Sequence, residues 1–396
     1  MAKRTVEDIE VSGKRVLLRV DFNVPLDINT GRISDDSRIR ASLPTIRYLV
    51  EHGARAILCS HLGRPKGKVV ESLRMAPIAH RLSELMSLAV DTAVDCIGEE
   101  VDGKTRALKN GDILMLENLR FHPEEEADDP GFSEKLAGLA DIYVNDAFGT
   151  AHRAHASTVG VALHLPAVAG FLMARELEVM GRLLHDPERP FACLLGGAKV
   201  SDKIGLLQSM LTMVDVVLIG GGMAATFLKA QGYEIGHSLV EEDRLSLAGE
   251  LLKKAGAQQV AFWLPVDAVV ADEITGEAPT RVVPITDVPS DGYIVDIGPQ
   301  STELFRSKLA GCRTVMWNGP MGINEIPRFS RGTRSMVSFL ATAEATTVIG
   351  GGSSAEVVHD MGLTDKMTHV STGGGASLRF LEGAVLPGVD VLLDKE

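Results

Sequence analysis

FACLLGGAKVSDKIGLLQSML (191–211) contains one complete structural unit. Phe191 to Leu195 is an apolar β-type run, and it stops at Gly196-Gly197. Ile204, Leu207 and Leu211 then recur at i, i+3 and i+7, which marks one face of a helix, with Ser201 as the expected N-cap. Asp215 precedes the next run, VVLI (216–219), and the same alternation continues in both directions. In the first half, Pro44 to Val50 and Ala76 to Leu85 read as helices between strands. Strands alternating with helices predict βαβ units and an α/β fold with parallel sheets.

The strands end in two kinds of chemistry. In the first half they run into polar and cationic residues. RVLLRV leads to Asp21-Phe22-Asn23, AILCS to His61-Leu62-Gly63-Arg64, DILML to Glu117-Asn118-Leu119-Arg120, and DIYV to Asn145-Asp146, with Arg153 close behind. In the second half they run into glycine, at Gly196-Gly197, Gly220-Gly221-Gly222, Gly350-Gly351-Gly352 and Gly373-Gly374-Gly375. Ligands of open α/β sheets bind outside the carboxyl ends of the strands. Arg38, His61, Arg64, Arg120 and Arg153 are therefore expected to converge on an anion, which arginine grips with a planar fork. Asp21 and Asn23 suit either hydroxyl recognition or a plain Asx turn before Pro25.

Glycine at a strand–helix turn lets backbone N–H groups meet a phosphate, although tight packing also requires glycine. Four such turns favour a phosphate-rich ligand. None carries the dinucleotide G-x-G-x-x-G or the G-x-x-x-x-G-K-[ST] P-loop. Lys199 and Lys203 are expected on one side of the first turn after Gly197, where an anion would offset their clash with the helix dipole. No kinase-type H-R-D loop is present. An acceptor that is already an anion needs no base, so positioning and charge neutralisation would suffice.

At 396 residues the chain predicts two domains. The segment AGFLMARELEVMGRLL reads as a long amphipathic helix ended by His185-Asp186-Pro187, and it separates the two kinds of strand end. A net charge of −13 argues against a nucleic-acid partner. Cys59, Cys96, Cys193 and Cys312 have no metal or disulfide spacing, and they predict reduced thiols and a cytoplasmic location. MAKRTVEDIE has no apolar run, so no secretory signal is expected. Ala156 to Ala174 lacks charge but contains His164 and Pro166, which predicts a buried strand and helix start, with no membrane partner.

These residues resemble the phosphoglycerate kinase family over essentially the whole chain. The matching segments are RVDFNVPL (19–26), SRIRASLPTI (37–46), SHLGRP (60–65), ENLRFHPEEE (117–126), NDAFGTAHRAHAST (145–158), LLGGAKVSDKI (194–204), IGGGMAATFL (219–228), WNGPMG (317–322) and STGGGASL (371–378). The resemblance implies two Rossmann-like domains around a deep cleft. A phosphoglycerate domain would span 1–168, a linking helix 169–186 and a nucleotide domain 187–379, with 380–396 packing back on the first. It implies a monomer that transfers phosphate from ATP to 3-phosphoglycerate with Mg²⁺ by domain closure. Asp21, Phe22, Asn23, Arg38, His61, Leu62, Gly63, Arg64, Arg120 and Arg153 would form the phosphoglycerate site. Gly196, Gly197, Lys203, Gly220, Gly221, Ile294, Asn318, Glu325, Gly351, Gly352, Ser353 and Ser354 would form the nucleotide site. Arg38, Lys199, Lys203, Gly373 and Gly374 would act on the phosphoryl group in flight.

Four positions depart from the family pattern. Ser353 stands where an aspartate usually helps hold the metal, which leaves the metal ligand unassigned. Asn324 stands for an aromatic, Ile294 for a common glycine and Arg379 for a common glutamate. These departures motivate an alternative, a catalytically weakened paralogue that acts as a binding or interaction protein.

Overall fold

The computed structural model describes residues 2–27 and 30–395. The chain divides into two compact units, Met1–Glu178 with Val385–Glu396, and Val179–Ala384. The division falls within the helix Phe171–His185, whose limits match the amphipathic segment read from sequence.

Unit 1 is built on β1 (Arg15–Arg19), β2 (Arg55–Cys59), β3 (Val90–Thr92), β4 (Ile113–Met115), β5 (Ile142–Asn145) and β6 (Ala167–Ala169). Their order is β3-β4-β2-β1-β5-β6, and every pairing is parallel. The chain builds outward from β1 on one side and then reverses to place β5 and β6 on the other. Such a reversal opens a crevice at the carboxyl ends of the central strands. Val16, Leu18, Leu58 and Val144 fill the core with Ile46 and Leu49 of the helix Ser37–Glu51.

That helix starts seven residues before the expected Pro44, which its interior accommodates. Ser37 anchors the start, its N–H and hydroxyl donating to the Asp35 carboxylate at 2.8 and 2.9 Å. Arg38 thus sits on a helix's first turn and does not directly follow a strand. The C-terminal segment returns through Gly388 N–H to Ala151 O and Leu393 N–H to Ala167 O, both at 2.9 Å. It joins unit 1 from Val385 and not from 380, because Leu381 belongs to the core of unit 2.

Unit 2 has β7 (Phe191–Leu195), β8 (Val216–Ile219), β9 (Ala261–Trp263), β10 (Asp267–Ala271), β11 (Thr280–Pro284), β12 (Tyr293–Ile297), β13 (Thr314–Asn318), β14 (Thr346–Gly350) and β15 (His369–Val370). Six form a parallel sheet in the order β15-β14-β13-β7-β8-β9. Side chains alternate across a strand. Phe191, Cys193 and Leu195 enter one core, and Ala192 and Leu194 enter the other. Both faces of β7 are covered, which explains why its sequence is apolar without a break. The antiparallel sheet β11-β10-β12 was not foreseen. The expected N-cap Ser201 instead lies in a short 3-10 turn, and the helix proper runs Ile204–Met210.

Candidate active site

In unit 1 the predicted residues lie in the segments that follow β1, β2, β4 and β5, except Arg38, which lies on the helix Ser37–Glu51. Asp21 is buried, and its carboxylate holds Arg38 Nη1 at 2.7 Å. Asn23 Oδ1 accepts the Gly63 N–H at 2.8 Å, so the β1 and β2 turns lock together. The Asx-turn contact from Asn23 N–H to Asp21 is long, at 3.4 Å. Both side chains are thus committed to tertiary contacts, and Asn23 Nδ2 keeps its donor capacity. Arg120, itself buried, donates to Gly63 O at 3.0 Å and pairs with Glu126 at 3.2 Å. Arg64 and Arg153 are exposed, and Arg153 Nε meets His152 Nε2 at 3.2 Å. Phe22 and Leu62 bury their side chains in the core, and their backbone N–H groups already donate to Ser60 Oγ at 2.9 Å and Asn118 Oδ1 at 3.2 Å, so neither is a free ligand contact.

These cations lie in one another's field. Burial, then Arg19, Arg120, Arg38 and His155, holds the His61 pKa well below its usual value. Burial lowers Arg120 as well, with Arg153 and Arg19 adding repulsion. His155 is pushed down to about 4 by burial and by Arg120, Arg19 and Arg153. A cluster of like charges at a sheet's carboxyl end suits an anion.

Three participants escaped sequence reasoning. Arg19 is 1% exposed, and its Nε donates to Ser157 Oγ at 2.9 Å. Ser157 donates in turn to buried Glu125 at 2.6 Å. An arginine interrupting an apolar strand was the available signal.

Unit 2 contains a cavity of about 370 Å³ lined by Gly197, Gly221, Ile294, Asn324, Glu325 and Ser353, among others. Asp296 also lines it, with a pKa raised to about 7 by burial despite three backbone N–H donors. Lys203 donates to Asn318, through both its side-chain oxygen and, at 3.3 Å, its carbonyl. Burial lowers the Lys203 pKa to about 8. Asn318 Nδ2 is buried with no partner, a donor held beside Gly350 and Gly351. Lys199 does not share a helix turn with Lys203. It is exposed, in the loop before the 3-10 turn.

The glycines divide by function. A Cβ on Gly196 would lie 2.1 Å from Pro320 O, and one on Gly221 would lie 2.7 Å from Gly197 N, so these positions serve close packing. Gly352 and Gly374 would place a Cβ in open space. They begin or precede the helices Gly352–Asp360 and Gly375–Leu381, where backbone is open to a ligand. Gly373 is not an available donor, because its N–H already meets Ser371 Oγ at 3.0 Å. The Ser354 hydroxyl is buried and accepts the Gly319 N–H at 2.8 Å, while Ser353 faces the cavity. Arg379 makes a surface pair with Glu382 at 3.6 Å.

Among the described residues, one group of three metal-ligating side chains converges, Asp95, Cys96 and His122 in unit 1. Asp95 already accepts from His122 Nε2 and from the Cys96 N–H, each at 2.7 Å. No such group was found among the described residues of unit 2. The Ser353 hydroxyl is a weak ligand for a hard cation. All four cysteines are free and buried, and no described helix is long and apolar enough to cross a membrane.

A family model described as phosphoglycerate kinase matches residues 6–384. The chain is 56% identical over 395 residues to a phosphoglycerate kinase of Moorella thermoacetica, covering 100% of both chains. It is 57% identical to one of Dictyoglomus turgidum, again over 100% of each. Among solved structures, phosphoglycerate kinase from Coxiella burnetii superposes with a TM-score of 0.86 at 40% identity, covering 98% of each chain. That from Pyrococcus horikoshii gives 0.87 at 34% identity, covering 99% of this chain and 98% of the other.

Proposed function

The chain belongs to the phosphoglycerate kinase family, and from that premise we propose how its residues divide the reaction ATP + 3-phosphoglycerate ⇌ ADP + 1,3-bisphosphoglycerate. The cation cluster of unit 1 binds phosphoglycerate, and the glycine loops and cavity of unit 2 bind ATP with Mg²⁺. The observation that carries this reading is the gathering of the positively charged Arg38, Arg120 and Arg153 with an uncharged His61 at one sheet's carboxyl end.

The acceptor is a carboxylate, so no side chain has to remove a proton. Catalysis then rests on alignment and on neutralising charge that spreads over the transferred phosphoryl group. Arg38 is pre-aligned by Asp21 and meets that charge from the acceptor side. Lys203 and the Asn318 amide meet it from the nucleotide side. Lys199, exposed in the loop before the 3-10 turn, accompanies the moving group. Glu325 holds the ribose, and Ile294 and Asn324 border the nucleoside. Mg²⁺ arriving with the nucleotide would supply further charge neutralisation, and Ser353, which lines the cavity, would be the side chain available to help hold it.

Acceptor and donor bind different units, so direct in-line transfer requires a closed, water-poor state in which they meet. The protein works as a cytoplasmic monomer in this reading, and its four buried thiols fit a reducing compartment. A steady-state assay with 3-phosphoglycerate, varying ATP, GTP, Mg²⁺ and Mn²⁺, tests the whole. Robust turnover with Mg–ATP is expected. A folded protein without it overturns the proposal in favour of the weakened paralogue.

A further inference from the structure

Arg19 has no place among the ligand contacts described above, yet it is the largest charged side chain sealed in unit 1, at 1% exposure. Burying a guanidinium is costly unless its donors are met. Here each nitrogen has a named acceptor. Nε donates to Ser157 Oγ at 2.9 Å, Nη1 to Val20 O, and Nη2 faces His61 Nδ1 at 3.1 Å. Ser157 is held from behind by Glu125, which accepts its hydroxyl at 2.6 Å and its N–H at 2.9 Å. Ser157 and Glu125 are fully buried, and His61 is 4% exposed. Along Glu125–Ser157–Arg19–His61, donation therefore runs outward from the guanidinium on both sides, through Ser157 to Glu125 and directly to His61.

That direction decides the state of His61. A guanidinium has only donors, so the ring nitrogen facing it must be the acceptor. Nδ1 then carries no proton, and the single proton of the ring stays on Nε2. The ring makes no other hydrogen bond among the described residues, which leaves Nε2–H for a ligand. We infer that Arg19 is a positioning residue that fixes His61 as a neutral Nε2–H donor, so that His61 recognises a phosphoglycerate oxygen without adding charge or exchanging a proton. This rests on the reading of unit 1 as the phosphoglycerate site.

The surroundings agree. The charged and titratable groups facing His61 are Arg19, Arg120, Arg38 and His155, all of which oppose a second proton on the ring. Glu125, the buried carboxylate, pairs with Ser157 and lies 3.8 Å from His155. Like charge around an already cationic site makes a neutral donor the cheaper way to hold one more anionic oxygen.

Nitrogen-15 NMR of the ligand-free protein, with His61 assigned by loss of its signals in His61→Gln, reads the tautomer directly. The Nε2–H form is expected from pH 5.5 to 8.5 without titration. An Nδ1–H form, or an imidazolium appearing in that range, overturns the inference, whatever the assay shows. Kinetics supply the second arm. Arg19→Met should raise KM for 3-phosphoglycerate by about tenfold, the scale of one hydrogen bond to a charged group. KM for ATP should hold within about twofold on the same reasoning. The variant's phosphoglycerate KM should also become pH-dependent as His61 begins to titrate, and Arg19→Gln, which keeps an N–H donor, should restore part of the loss. A pH-independent loss, equal in both variants, means Arg19 is only structural. If Arg19→Met does not fold, Ser157→Ala loosens the same guanidinium and takes its place. Unchanged phosphoglycerate KM in His61→Ala, which removes the donor, would overturn the site reading itself, separately from the tautomer.

Discussion

In the proposed division of the reaction, the two units meet anions with opposite materials. Unit 1 uses long charged side chains, each tied by a specific bond, Arg38 to Asp21 and Arg120 to Gly63 and Glu126. Unit 2 uses backbone and absent side chains, with one half-buried lysine and, among the described residues, one unpartnered amide nitrogen, Asn318 Nδ2. A side-chain site depends on networks behind it, such as Arg19–Ser157–Glu125. A backbone site depends on glycines that pack, such as Gly196 and Gly221, so that others, such as Gly352 and Gly374, stay bare. Damage should therefore separate into lost chemistry in unit 1 and lost packing or lost access in unit 2.

The largest test of that contrast is Arg38→Ala. Its side chain is about one-third exposed on a helix's first turn, so the fold should survive. kcat should fall by roughly 10³-fold, the scale of one preorganised charge donor, read by steady-state kinetics beside circular dichroism. A fall in kcat under about tenfold would remove Arg38 from the transition state.

Glycine substitutions come next. Gly221 has φ +65° and a Cβ site 2.7 Å from Gly197 N and Pro320 O. Gly221→Ala should cost about 3 kcal/mol through overpacking and strain, lowering the melting temperature by roughly 10 °C. Gly352→Ala meets open space at a helix start, so stability should hold while KM for ATP rises. Equal melting temperatures for the two variants would refute the division between packing and access.

Lys203 provides a pH test. Its pKa falls from 10.5 to about 8, so the native state disfavours the charged form. Its contribution to stability is therefore present above pH 10.5 and lost as pH falls through about 8. Binding an anion reverses the preference. ATP binding near pH 8 should take up about half a proton, and affinity should weaken by up to about tenfold per pH unit above it. Calorimetry in buffers of differing ionisation enthalpy measures the uptake, and none at that pH would show that Lys203 does not meet the phosphates.

The smallest effect is expected from Ser353→Asp. If nucleotide phosphates hold the metal, kcat should shift by less than about tenfold. A gain of several orders of magnitude would instead identify the parent as a weakened enzyme.

Local pattern carried most of the fold. The helix Phe171–His185 and β7 were legible because 3.6-residue and unbroken apolar patterns report covered faces directly. The ends of elements were not. Pro44 suggested a helix start that the Asp35–Ser37 bonds place seven residues earlier, and Ser201 suggested a cap that falls in a 3-10 turn. Each depends on which competing hydrogen bond wins, and the winner is chosen by neighbours distant in sequence.

By itself, the sequence determined the α/β class, the two kinds of strand end, and the cations and glycines that mark the site, because residue type and spacing act locally. Tertiary structure alone decided which glycines pack and which stay open, and that Gly373 and the Ser354 hydroxyl are already engaged. It also decided that Arg19, 42 positions from His61, faces that ring across adjacent parallel strands. The physical reason is that burial and hydrogen-bond partnership belong to pairs of residues, and the pairs that set these sites are made only when the chain is folded.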